Sequence, residues 1–164
     1  MMKKPWNRTD LPVYSISSKC DSEENMNVIT YMTAVSMQPK QFIAAVYNQT
    51  KTLELVQRNP HFVIQLLSKD QYRLVHLLGK QSGKTVRKMD RLKKRKLITY
   101  WNGFAVLTDA LALMEVKALH LKVDASVNQP DHQLFLCELI HYKNNKEGDP
   151  LTIDILRHHK IVRM

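Results

Sequence analysis

Apolar positions in this chain fall in short runs broken by polar turns, the spacing of strands rather than of long amphipathic helices. After a loosely ordered lead-in over residues 1–12, Val13 to Ile16 reads as a short strand and the polar, charged Ser17 to Asn25 as a loop. The stretch Asn27 to Pro39, NVITYMTAVSMQP, carries β-formers at Val28, Ile29, Thr30 and Tyr31 and predicts a strand that turns near Pro39. Phe42 to Tyr47 is a continuous apolar run and predicts a buried strand. Thr50 or Thr52 can then cap a helix over Leu53 to Arg58, with Pro60 stopping it.

Further along, His61 to Leu67 alternates like a core strand, and Ser68 with Asp70 opens a helix that runs through Leu78 and ends at Gly79. Lys80 to Lys96 reads as a basic loop. Leu97 to Trp101 is a short strand, and Phe104 to Thr108 with Leu111 to Val127 carries two or three more, the last in period-two alternation over Ala118 to Val123. His132 to Tyr142 fits a strand with Phe135, Cys137 and Leu139 on one face, a helix being the alternative. Gly148-Asp149-Pro150 signals a turn before a last short strand at Leu151 to Ile155. Short strands outnumber short helices and the βα alternation of a parallel sheet is missing. The pattern therefore predicts a mainly β, antiparallel barrel with helical insertions.

Length and composition narrow this picture. No repeat or Pro/Ser/Gly-rich linker divides the 164 residues, which predicts a single domain across 1–164, large enough to bury a core without disulfides or metals. Cys20 and Cys137 lie far apart without CxxC spacing, so no metal site is expected, and reduced thiols in a cytoplasm fit better than a disulfide. No run approaches the roughly 20 apolar residues of a membrane span, which predicts a soluble cytoplasmic protein. Lys and Arg number 25 against 15 Asp and Glu, a net charge of +10 that favours anionic partners: nucleic acid, anionic lipid or phosphorylated cofactors. The excess is concentrated in Lys80 to Lys96, KQSGKTVRKMDRLKKRK, with nine basic residues against Asp90.

Two segments could seat a phosphate. Asn48-Gln49-Thr50-Lys51-Thr52 places hydroxyls and an ammonium at a helix N-terminus, although taken alone it is more simply an ordinary N-cap. Gln81-Ser82-Gly83-Lys84 is a second candidate, where glycine lets backbone amides converge. Neither GxxxxGK[ST] nor GxGxxG occurs, and GxSxG and HExxH are absent, which speaks against nucleotide triphosphatases, Rossmann sites and hydrolases. His132 beside Asp131 is the one imidazole with an adjacent orienting carboxylate, against the simpler reading of a strand-edge histidine. Met26, Met32 and Met37 read as core filler.

Asn27-Val-Ile-Thr30, Thr33-Ala-Val-Ser36 and Pro39 together resemble the N-x-x-T, T-P-V-S, P-P segment of flavin reductase-like proteins. The strand, turn and helix around Thr50-Lys51-Thr52, then Phe62, then Gly79-x-x-Ser82-Gly83-Lys84 leading to Asp90, and finally Asp131-His132-x-x-Phe135 with Glu138, keep that family's order over about residues 13–155. The resemblance implies the FMN-binding split β-barrel fold and a homodimer holding FMN. Carried over by position, it implies that Thr30, Met32, Thr33, Ala34 and Val35 face the ring and ribityl chain. Asn48, Thr50, Lys51 and Thr52 would hold the phosphate, with Ser82 and Lys84 closing over it. It further implies an NAD(P)H-dependent flavin reductase or related oxidoreductase passing electrons to free flavin or a redox partner protein, with His132 contacting nicotinamide or flavin. Ala34, Lys40, Lys84 and Cys137 depart from the family pattern, Cys137 replacing a common glycine in the late strand. The alternatives are a flavin-bound electron carrier without NAD(P)H turnover and a nucleic-acid-binding module using the basic run. That run lacks interleaved aromatics for base stacking, which disfavours the last.

Overall fold

A computed structural model describes residues 4–124 and 126–162. Among them seven strands form one sheet in the order β2-β1-β5-β8-β9-β4-β3, every pairing antiparallel. The strands are β1 (Tyr14–Cys20), β2 (Glu23–Ile29), β3 (Met32–Ser36), β4 (Gln41–Tyr47), β5 (His61–Leu66), β8 (Ala112–Leu121) and β9 (His132–Asn144). A separate hairpin, β6 (Ile98–Trp101) and β7 (Phe104–Leu107), turns at Asn102 and Gly103. Both turn residues have positive φ, 47° and 76°, the conformation for which Asn-Gly is the preferred pair in a two-residue hairpin. The mainly β, antiparallel architecture agrees with the sequence reading.

Four helices punctuate the strands among the described residues: α1 (Lys51–Arg58), α2 (Val75–Gly79) following a 3-10 turn at Lys69–Leu74, α3 (Lys88–Lys94) and α4 (Ile153–His158). Thr50 caps α1 as expected, its hydroxyl accepting from the Leu53 amide at 3.2 Å. The sheet is buried on both faces. In β5, Phe62 and Ile64 join a cluster with Ile16, Val46, Val56, Val116 and Phe135 beneath α1, whereas Val63 turns to a cluster with Met26, Leu67, Leu78, Leu92 and Leu107 under α2, α3 and the hairpin. Cys137 is wholly buried in the first cluster, so its thiol is packed as a small hydrophobe.

Several segments differ from the sequence reading. Ser17 to Asn25 is not a loop but the two halves of the β1–β2 hairpin, turning at Asp21 with φ 52°. Ser17, Ser18 and Asn25 of this segment are buried, and two of them bond distant partners: Ser17 donates to the Ala105 carbonyl at 2.5 Å, and the Asn25 amide to the Thr52 hydroxyl at 2.8 Å. The basic run Lys80 to Lys96 contains α3, held by buried Met89 and Leu92 at helical spacing with the charges mostly outward. Over 104–127 the described residues form two strands, β7 and β8, in keeping with the two or three expected. Leu151 to Ile155 is no strand, because the Thr152 hydroxyl accepts from the Ile155 amide and starts α4. Of the three methionines read as core filler, Met26 is wholly buried while Met37 is 90% exposed. Part of the lead-in over residues 1–12, Met1 to Lys3, lies outside the described residues; its remainder is tied down where Pro12 bridges Thr152. No helix among the described residues is long and apolar enough to cross a membrane.

Candidate functional site

Strand β2 ends the sheet on one side, and a cleft of about 650 Å³ runs beside it. Its walls come from β2 and the residues after it (Asn25 to Tyr31), the turn into α1 (Gln49 to Lys51), the segment Gly79 to Gly83, Lys88 of α3 and His132 at the start of β9. Val75, Leu78, Ile153 and Leu156 add an apolar lining. The volume falls within the roughly 300–1,000 Å³ of small-molecule and cofactor sites.

One end of the cleft is built for an anion. Thr50 turns the chain by donating to the Tyr47 carbonyl at 2.9 Å while it caps α1, and the first-turn amides of this helix have no intrahelical acceptor. Lys51 Nζ is held by Glu23 at 2.5 Å with Glu54 at 3.7 Å, and Arg58 shares Glu23 at 2.5 Å. The Lys51 and Arg58 hydrogen bonds hold the Glu23 carboxyl below its ordinary value, and Glu23 in turn raises Lys51, so this ammonium stays charged. The 82–83 turn closes against the same wall. A Cβ on Gly83 would sit 2.2 Å from Asn25 Oδ1 and 3.2 Å from Lys51 Cβ, so the backbone approaches more closely than any side chain permits.

Elsewhere in the cleft two buried polar side chains stand out. Asn27 is 6% exposed, and its Oδ1 has no hydrogen-bond partner among the described residues. Lys88 is 4% exposed, and its Nζ donates to the carbonyls of Leu78 at 2.7 Å and Met26 at 3.4 Å. No ion pair engages it among the described residues, and burial pushes its ammonium down to about 8. The Met26 carbonyl that receives Lys88 points off the open edge of the sheet. By the two-residue alternation of a strand, the Val28 amide and carbonyl face that edge as well. His132 Nδ1 lies 2.6 Å from Asp131 Oδ1, and its ring packs 5.3 Å from both Tyr31 and Tyr47.

Of the residues singled out in the sequence, Thr30, Thr50, Lys51, Ser82 and His132 line this one cleft. Thr52 sits directly behind it, wholly buried and accepting from Asn25. Asn48 instead ties the turn to β9, donating to the Pro130 carbonyl and accepting from Gln133, both at 3.0 Å. Lys84 pairs with Glu54 at 2.5 Å and does not line the cleft. Met32, Thr33, Ala34 and Val35 form β3, at the opposite end of the sheet, and do not line it either. Sequence reasoning gave no site role to Asn25, Asn27 or Lys88. The Asn-x-Asn spacing puts both amides on one face of a strand and was a usable signal, but nothing within a run of nine basic residues marks Lys88 as the buried one. Among the described residues no cluster of His, Cys, Asp and Glu could hold a metal ion. The arrangement can hold a phosphate at one end and a flat ring, read by backbone and amide groups, along the strand edge.

The Flavin reductase like domain family matches residues 6–159 of the chain. The fold is similar to that of the flavin reductase PheA2, with a TM-score of 0.70 at 23% identity over 90% of this chain and 87% of that one. It is also similar to the styrene monooxygenase flavin reductase of Pseudomonas putida S12, with a TM-score of 0.71 at 18% identity over 91% and 89%. Flavoredoxin from Methanosarcina acetivorans superposes with a TM-score of 0.72 at 16% identity over 95% and 83%. No curated protein matches the chain.

Proposed function

The chain belongs to the flavin reductase-like domain family, and on that premise we propose that it is an FMN-binding flavoprotein acting as an NAD(P)H-dependent flavin reductase or related oxidoreductase. The observation that carries this reading is the orphaned Asn27 Oδ1. A buried amide oxygen without a partner costs about 1–3 kcal/mol, and a ligand donor arriving in the cleft removes that cost. The donor set fits FMN: an amide acceptor and strand-edge backbone for a ring, a helix N-terminus and ammonium for a phosphate, and an apolar lining between.

When bound, FMN supplies two-electron chemistry between a nicotinamide donor and an acceptor, free flavin or a redox partner protein. The chain's own groups bind and orient. Thr50, Lys51 and the first-turn amides of α1 hold the phosphate, and Ser82 with the close-set Gly83 backbone shuts that end against water. Asn27, Val28 and Thr30 read the ring edge from the open side of β2. Lys88 Nζ keeps a proton and a positive charge in the cleft wall, which favours an electron-rich ring there. His132, its Nδ1 engaged by Asp131 and its ring between Tyr31 and Tyr47, leaves Nε2 available to ring or nicotinamide.

The same reading includes a homodimer. Tyr31, Val35, Met37 and Tyr47 are large apolar residues that stand exposed along and beside the open β3 edge, and such a patch is better covered than wet. A second copy packed there would bring Met32, Thr33, Ala34 and Val35 into a shared site. Purification tests the core of the proposal: flavin absorbance in the purified protein followed by NADH and NADPH oxidation. Tight FMN without turnover would make the chain an electron carrier, and no affinity for added FMN would overturn the reading; light scattering of the holoprotein decides the dimer.

A further inference from the structure

A second cavity, of about 320 Å³, lies on the far side of the Gly79 to Gly83 segment. Arg73 and His76 line it from the 3-10 turn and α2, Arg91, Lys94 and Arg95 line it from α3 and its C-cap, and no carboxylate does. Among the described residues no ion pair engages Arg73, Arg91, Lys94 or Arg95, whereas in the first cleft Lys51 is paired with Glu23 and Lys88 sits on two backbone carbonyls. The dipole of α3 accounts for basic residues in its own last turn but not for Arg73 and His76 converging on them from other elements. Asp70 attracts Arg73 from outside the groove, but within the lining the cations face one another with no carboxylate between them, a repulsion that a bound anion relieves.

Gln81 joins this groove to the cleft, because its side chain lines both. Its Oε1 accepts from Arg91 Nη1 at 3.1 Å and its Nε2 meets His76 Nδ1 at 3.3 Å, so the groove's floor and the cleft's wall are one hydrogen-bonded unit. A ligand longer than the cleft therefore meets a cationic cavity a single residue further on. Arginine forks suit phosphate oxygens. No Phe, Tyr or Trp lines the groove, and the neighbouring Tyr72 is already stacked on His159 at 3.8 Å, so bases of a nucleic-acid strand find no stacking platform there.

We propose that this groove is a phosphate subsite for the adenylate half of a dinucleotide whose other half occupies the cleft, an inference that rests on the cofactor reading above. Two ligands carry that chemistry: FAD, through its AMP half, and NADPH, through its 2′-phosphate. The first step of the test is titration of FMN into the full-length chain; absence of binding overturns the cofactor reading and this inference with it. Lys94→Gln/Arg95→Gln then removes two exposed charges that do not bond Gln81, and Arg73→Gln removes one from the opposite wall. Both variants keep FMN affinity, and each loses affinity for the proper adenylate, by about 10-fold for the double variant, as expected for lost charge-assisted contacts. If FAD is the source, FAD binding to the apoprotein weakens. If NADPH is the source, adenosine 2′,5′-bisphosphate binding to the FMN-loaded protein weakens and KM rises for NADPH but not for NADH. Unchanged affinity for both adenylates with FMN binding intact overturns the inference and leaves the cofactor reading standing, as does a single-stranded oligonucleotide that outcompetes both.

Discussion

Replacing Lys88 by methionine keeps an unbranched apolar side chain of nearly the same length and removes the charge, so the substitution isolates the effect of an ammonium in the cleft wall. The wild-type Nζ sits on two backbone carbonyls in a residue 4% exposed, and desolvation lowers its pKa from 10.5 to about 8. The folded protein therefore gives up this proton more readily than the unfolded chain. Stability rises with pH above about 8, is fully gained above the unfolded value, and is lost again as pH falls through the folded one. Between about pH 7 and pH 10 the gain amounts to about 2 to 3 kcal/mol. Lys88→Met has no such proton, so the difference in unfolding free energy between wild type and variant should move by that amount in favour of wild type at alkaline pH. Urea titrations of the apoproteins at the two pH values measure it. The other titrating groups lining the cleft, Lys51, Lys80, His132, Tyr31 and Tyr47, are common to both proteins and cancel. Bound FMN adds a negative charge that favours the ammonium, so saturating FMN should flatten the alkaline gain. A difference between wild type and variant that stays constant with pH in the apoproteins would refute the burial of this charge.

Other perturbations test the remaining parts of the site. Gly83→Ala puts a Cβ 2.2 Å from Asn25 Oδ1, forces Asn25 off Thr52, and should weaken FMN binding by about 10-fold with far-UV circular dichroism unchanged; undiminished affinity would show that the turn yields freely. Lys51→Ala should also weaken FMN binding by about 10-fold. Met32→Leu, outside the cleft walls of a single chain, should change FMN affinity little, and equal losses from Lys51→Ala and Met32→Leu would sink the division between phosphate anchor and sheet edge. Burial pushes the Cys137 thiol up to about 12 while Cys20 is partly exposed, so a thiol reagent should label Cys20 alone in the native protein and both cysteines in denaturant.

Elements whose residues answer to local rules were legible in the sequence. The run Phe42 to Tyr47, the Thr50 cap and the stop near Pro60 reappear as β4 and α1 almost residue for residue. The hairpin over Tyr14 to Ile29 was not, because Ser17, Ser18, Asn25 and Asn27 look solvated in sequence and are buried in the fold. What satisfies them lies far along the chain: the Ala105 carbonyl for Ser17 and the Thr52 hydroxyl for Asn25. The same holds for α3, where Met89 and Leu92 are too few to announce a helix against so many charges until β2 and α2 supply the surface they pack on.

The site divides along the same line. The family and the fold were readable from ordered local motifs, and so was the turn that begins α1, since capping and chain reversal depend on neighbours a few residues apart. Which of the flagged residues share a cleft was decided only by the tertiary fold, which brings Thr30 together with Tyr47 of β4 and His132 of β9 but leaves Met32 to Val35, just beyond Thr30, out of its walls. Lys88 and Asn27 owe their standing to burial alone. An ammonium among nine basic residues, or an asparagine in a strand, becomes chemically distinct when the tertiary fold removes water from it, and desolvation is a property of the assembled surroundings that no local stretch of sequence encodes.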